Sequence, residues 1–345
     1  MSLNATPSSG RKIEMIVTIK KAILHIIAPG IDNSLYSSRE LDLTDGVTHA
    51  FIISHIEKMY DDPTLRTGTF SNSSGFKYLM CQYREGKESF VEMSKAVAKK
   101  LSDGIAQGEV CLPSDIIVCE CVISERDVIA VLKCDNKAVI SHKTEGDKNE
   151  IVSYYSVLPT STQKLGDCAF VDLRDLSIKF KGKSVTLDGE RLNLMSEVLL
   201  ECDSELSVSE AFSKVQKLAK KVSEEYGGDT AETDARIKQA VKETPADEDK
   251  VSLGKITETV FGAAPAAKAE FSEKLKAAAV PQEIEKVEYI TKRANKKIKI
   301  VTDTGIEILM PSELYRDGEN MIMNPNEDGT YTIEINNIRE IENKS

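Results

Sequence analysis

Two runs near the middle of the chain, Asp115–Ile123 and Val128–Cys134, are almost continuously apolar, with only Ser124-Glu125-Arg126-Asp127 between them. A strand with one wet face alternates polar and apolar residues, and these runs do not. They read as central strands covered on both faces, so the sheet that holds them needs a layer on each side. The clearest helix is Glu88–Gln107, where Phe90, Met93, Val97, Leu101 and Ile105 recur at spacings of 3, 4, 4 and 4. Gly108 is placed to cap it.

Ile16–Ile27 suits a buried strand, ended by Pro29-Gly30, with Glu40–Leu43 as a short partner. Thr44 or Asp45 can cap a helix running to about Tyr60, with Ile52, Ile56 and Met59 on one face and Asp61-Asp62-Pro63 as its stop. Thr67–Gly75 reads as an exposed loop. Lys137–His142, Ile151–Leu158 and Phe170–Leu176 read as further strands.

After Lys183 the period lengthens. Gly189–Cys202, Ser207–Tyr226, Thr230–Glu243, Ser252–Phe261 and Ala267–Ala279 carry helical patterns, with Thr244–Lys250 as a linker. From Lys296 the period returns to two, and Asp328-Gly329 marks a hairpin. The expected class is α+β. A disordered tail covers 1–14. A mixed α/β domain on a largely antiparallel sheet covers 15–183. A helical domain with a small antiparallel sheet covers 184–345.

Chemistry is sparse. There is no P-loop, G-x-G-x-x-G, H-E-x-x-H or G-x-S-x-G. A nuclease-like grouping fails at Val122, where a Lys would follow Glu120. His25 and His55 lack a local nucleophile or carboxylate, so a hydrogen-bonded structural role is expected for each. Cys119 and Cys121 share a strand face and read as small core residues, with a metal site as a remote alternative. Seven cysteines in a long chain suit reduced thiols in the cytoplasm. No catalytic residue, metal or cofactor is expected, and no apolar run is long enough to span a membrane.

The net charge of −11 excludes a wholly basic, histone-like binder, so any phosphate contact must come from a local patch. Lys286–Lys299 is such a patch: Lys286, Lys292, Arg293, Lys296, Lys297 and Lys299 stand against Glu288 alone, a net of +5. Lys292, Arg293, Lys296, Lys297 and Lys299 are the candidate nucleic-acid-binding residues. The alternative is that the patch is masked by the protein's own acids. Lys179, Lys181 and Lys183 form a weaker cluster on one strand face. Asp203–Lys250 holds 12 acids and 8 bases and reads as a surface that repels DNA.

The chain also resembles the bacterial nucleoid-associated protein family of the NdpA/YejK type. The resemblance lies in Lys21-Ala-Ile-Leu-His25, Leu41-Asp-Leu43, His55-Ile-Glu-Lys-Met-Tyr60, Gly68-Thr-Phe70-Ser71 and Tyr83–Phe90. It continues through the paired strands at Ile123 and Val128 to Val171-Asp-Leu173, Phe180-Lys-Gly-Lys183, Phe271, Ile306-Glu-Ile308 and the Asp328-Gly329 hairpin. At Ser184–Asp188 this sequence departs from the family's pattern, in which a basic element leads more directly into a helix. The resemblance implies a non-enzymatic nucleoid protein in the cytoplasm that binds double-stranded DNA through sequence-independent contacts. Homodimerisation would double the patch. The alternative is an adaptor brought to the nucleoid by partners such as DNA-topology enzymes. No functional residues follow from the family, so the candidate residues rest on charge alone.

Overall fold

The computed structural model describes residues 15–28, 34–107, 113–187, 189–311, 314–315 and 320–341. The expected tail 1–14, Pro29-Gly30, the Gly108 cap and Cys111 lie outside the described residues. The chain forms two compact units that divide between Glu205 and Leu206, later than the expected boundary at Lys183.

The first unit contains, in order, β1 (Val17–Ile27), α1 (Gly46–Tyr60), β2 (Arg66–Phe70), α2 (Gly75–Arg84), α3 (Phe90–Ala106), β3 (Ser114–Ile123) and β4 (Arg126–Asp135). There follow β5 (Lys137–Glu145), β6 (Lys148–Val157), β7 (Asp167–Asp172), β8 (Ile178–Lys181), β9 (Ser184–Leu187), β10 (Glu190–Asn193), a π-helical segment (Leu194–Leu200) and β11 (Cys202–Ser204). Seven strands form one antiparallel sheet in the order β1-β3-β4-β7-β8-β2-β11. The two apolar runs are β3 and β4, joined at Ser124 and Glu125, which both hold positive φ. That is the conformation a two-residue turn between twisted strands requires.

Alternation along these strands fills two cores. Ile116, Val118, Ile129, Val131, Ala169 and Val171 face one cluster, built with α2, α3 and the π-helical segment. Ile117, Cys119, Cys121, Val128, Ala130, Leu132, Cys134, Cys168 and Phe170 face the other, built with α1. In β1 the register shifts between Ile19 and Lys21, so both Ile19 and Ala22 reach the α1 side while Ile23 and Ile27 face α3. A bulge allows this because the extra residue resets the two-residue period.

The helix caps follow the sequence. Asp45 accepts from the Thr48 amide and Ser89 from the Glu92 amide. All five residues of the α3 stripe are buried, each stabilising by about 1.5–3 kcal/mol relative to exposure. Cys119 and Cys121 are core residues as expected, and burial pushes the Cys121 thiol up to about 12.

Three expectations are corrected. Thr67–Gly75 is not a loop: β2 pairs with β8 and with β11, and Phe70 is buried. This short polar strand has no periodic signal, because long-range pairing alone makes it a strand. Gly189–Cys202 is not a regular helix but β10, the π-helical segment and β11, whose Leu194, Met195, Leu199 and Leu200 complete the first unit's core. Glu40–Leu43 forms no strand, although the Leu41 amide donates to the Ala22 carbonyl (2.8 Å).

The second unit holds α4 (Val208–Glu225), α5 (Thr230–Lys242), β12 (Lys250–Ser252), α6 (Leu253–Phe261), α7 (Pro265–Ala277), β13 (Glu283–Glu285) and α8 (Glu288–Ala294). It ends with β14 (Ile298–Val301), β15 (Glu307–Met310), β16 (Met321–Pro325) and β17 (Tyr331–Ile335). Ser207 and Glu210 form a full capping box at α4. The C-terminal strands make two separate hairpins, β14–β15 and β16–β17, around a small cluster of Ala235, Ile298, Met310, Tyr315 and Met321.

Two outcomes test this packing. A Cβ at Gly68 would overlap the Asp203 carbonyl oxygen on the neighbouring strand. Gly68→Ala is expected to cost about 1–3 kcal/mol in urea unfolding. His25 is fully buried, with Nδ1 accepting from the Ser37 amide (3.1 Å) and Nε2 3.2 Å from Ser94 Oγ. Burial, aided by the Lys95 charge, lowers its pKa from 6.5 to about 4. The folded chain therefore holds His25 neutral while the unfolded chain protonates it below about 6.5. Stability is expected to fall by roughly 3 kcal/mol as pH drops from about 6.5 to about 4. Urea midpoints across that range should lose this slope in His25→Gln.

Candidate nucleic-acid interface

The +5 segment is not one strip. It begins just past β13, passes through α8 and a turn, and enters β14. Ile290 and Ala294 bury one side of α8 in the second unit's helical core. Glu288 lies in its first turn and Lys292 and Arg293 in its last, which complements the helix dipole.

Each basic residue has a distinct environment. Lys286 Nζ donates to the carbonyls of Thr244 and Pro245, both at 2.7 Å, just past the end of α5. Lys292 pairs with Glu288 one turn earlier (2.8 Å), with both side chains largely exposed. Such a pair contributes little and opens readily.

Arg293 turns inward. Its Nη1 donates to Tyr289 Oη (2.7 Å) and Ser213 Oγ (3.3 Å), and its Nη2 donates to Gln216 Oε1 (2.6 Å). The guanidinium also lies 5.7 Å from the Phe212 ring centre and 5.6 Å from that of Tyr289. Every one of these partners is neutral, so Arg293 fastens α8 to α4 while its charge stays uncompensated by any described carboxylate.

Lys296 and Lys297 sit in the turn after α8, where the Lys296 amide donates to the Arg293 carbonyl (3.2 Å). Both side chains are exposed, and neither forms an ion pair with a described residue. Lys299 lies on β14 and pairs with Glu307 of β15 (2.6 Å). It stands on the outer face of that hairpin with Val301 (58% exposed) and Leu309 (59% exposed), while Ile298, Ile300, Ile308 and Met310 face inward. The five candidate residues therefore divide into two unpaired lysines, two paired ones and one internal clamp.

In the weaker cluster Lys179 and Lys181 share one face of β8, as expected, while Lys183 lies past the end of that strand. Lys183 Nζ pairs with Asp135 (2.5 Å), and its amide donates to Asp167 (2.6 Å). Lys179 Nζ lies 4.4 Å from the Tyr60 ring centre, beside a hollow of about 340 Å³ shared with Arg126 and Asp172. Arg126 is itself held by Asp172 (2.6 Å) and Asp175 (3.1 Å). Glu120 is occupied by the Tyr83 hydroxyl and by Lys21 (3.3 Å). His55, unlike His25, makes no full hydrogen bond among the described residues. It packs edge-on against Phe51, with the Pro159 carbonyl as a weak polar neighbour.

Fold and surface together define an α+β protein whose cationic groups gather at the junction of α8 and β14, with no described helix long and apolar enough to cross a membrane. The profile of the family described as nucleoid-associated protein YejK matches residues 23–342, and the chain belongs to that family. No curated protein matches the sequence.

The division of roles has a direct consequence. Arg293→Gln is expected to destabilise the protein by about 1–3 kcal/mol, because Gln216 and Tyr289 lose a charged partner. Lys296→Gln and Lys297→Gln should stay within about 0.5 kcal/mol of the parent in the same urea titration.

Proposed function

We propose that this protein is a non-enzymatic, nucleoid-associated protein that binds double-stranded DNA through sequence-independent contacts to backbone phosphates. It would act in the bacterial cytoplasm at the nucleoid. The observation that carries this reading is the pair Lys296 and Lys297: exposed, without a described carboxylate partner, and backed by the uncompensated charge of Arg293 in a chain of net −11. Ammonium groups so placed can neutralise phosphates and release counterions. Lys292 joins them by opening its exposed pair with Glu288, and Lys299 by opening its pair with Glu307. A homodimer would present the surface twice and strengthen binding without new contacts.

A second reading has its own observation. The outer face of the β14–β15 hairpin is apolar around a neutralised pair, with Val301 and Leu309 exposed beside Lys299 and Glu307. That surface suits a protein partner better than a phosphate backbone. An adaptor reaching the nucleoid through a partner, such as a DNA-topology enzyme, would use it.

Titration onto duplex DNA at several salt concentrations separates the two. Phosphate contact is expected to make log affinity fall linearly with log salt, at about −0.9 per phosphate neutralised. Replacing Lys292, Lys296 and Lys297 together by Gln should flatten that slope by up to about 2.7. An unchanged slope removes this segment from the interface, and absence of binding at low salt favours the adaptor.

A further inference from the structure

We propose that the phosphate-contacting surface continues from α8 onto α4, where Lys217 and Lys220 complete it. The proposal rests on the DNA-binding reading above and extends it to a helix that lies in an acidic stretch of sequence.

The link between the two helices is Arg293, whose guanidinium reaches Ser213 and Gln216 on α4. Residues four apart on a helix lie one above the other. Lys217 stands one turn beyond Ser213, and Lys220 one turn beyond Gln216. The two lysines therefore extend, along α4, the same face that Arg293 grips. Lys296 lies one turn past Arg293 on the other element, with its amide on the Arg293 carbonyl. The internal clamp thus ties together the two elements that carry these lysines.

The charges on α4 are in surplus. Lys217 is exposed and forms no ion pair with a described residue. Lys220 meets Asp234 only at 3.9 Å, and Asp234 already takes Lys238 at 2.8 Å and the Gln216 amide group at 3.0 Å. One carboxylate shared by two ammonium groups leaves one positive charge over. Lys238 is the buried partner and Lys220 the exposed one, so the surplus faces water. Glu224, one turn past Lys220, bounds the patch at the C-terminal end of α4, and Glu210 is held in the capping box at the other end. The net of −4 over Asp203–Lys250 is an average over several elements, and it hides a cationic centre on α4.

Duplex phosphates repeat at intervals of a few ångströms, so a surface on two adjoining elements can meet several at once. Arg293 acts here as a positioning residue, because three of its five N–H donors are engaged inside the protein.

The test uses the full chain, a random duplex of about 25 base pairs and fluorescence anisotropy across a salt series. K217Q/K220Q is expected to flatten the salt slope by about 1.8 and to raise Kd about tenfold at roughly 100 mM salt, with the urea midpoint unchanged. The charge-matched K143Q/K148Q, on the exposed β5–β6 hairpin of the first unit, should leave the slope as in the parent. Arg293→Gln should weaken binding and Arg293→Lys should restore it only in part, since a lysine cannot make the same fork of contacts. A parental slope in K217Q/K220Q, alongside a flattened one in the Lys292, Lys296 and Lys297 triple variant, overturns the α4 extension and leaves the DNA reading standing. An equal effect from K143Q/K148Q also overturns it, because net charge would then explain the loss. A parent chain that binds no duplex at low salt removes both.

Discussion

Burial of the β3–β4 pair on both faces is the constraint on which the first unit depends. Strands with apolar side chains above and below cannot rest on a single layer of helix. The chain meets that demand with α1 on one side and with α2, α3 and the π-helical segment on the other. The bulge in β1 resets the alternation so that Val17 and Ile19 stay on the α1 side with Ala22 and Leu24. The bulge also leaves Lys20 at the sheet's edge, paired with Asp127 (2.5 Å), which discourages another strand from adding there.

In the second unit a single side chain has the comparable place. Arg293 joins two helices through a cation between two aromatic rings and three hydrogen bonds to neutral groups. A carboxylate partner would have cancelled the charge. Neutral partners keep it, so the residue that fastens α8 to α4 also raises the local potential for the lysines around it. The cost is that Arg293 has few donors left for a phosphate. Inward and outward roles are therefore divided between adjacent residues, with Arg293 clamped to α4 and Lys292, Lys296 and Lys297 facing solvent.

Membership of the nucleoid-associated family and a net charge of −11 are compatible on this view. An acidic molecule repels a polyanion at long range, and under the proposed function a compact cationic surface would govern how it approaches. The outer face of the β14–β15 hairpin, where Val301 and Leu309 flank the Lys299–Glu307 pair, lies next to that surface along the chain. The two proposed contacts therefore share Lys299, whose pair with Glu307 would open for a phosphate and stay closed for a protein partner.

Local pattern by itself determined the elements with a strong period or turn signal: β1, α1, α3, β3, β4, α4 and the C-terminal hairpin at Asp328-Gly329. In each, side-chain spacing and capping residues act within one or two turns of the chain, so neighbours in sequence carry the information. The excess of cations in Lys286–Lys299 was equally plain. Tertiary structure alone decided that β2 and β11 are strands, because they take that form by pairing with residues more than a hundred positions away. It also decided which cations are free. Arg293 and Lys296 are alike in a count of charges, and only the approach of Phe212, Ser213 and Gln216, some 80 residues earlier, makes one a clamp and leaves the other open to water. Electrostatic pairing depends on distance in space, which sequence distance does not report.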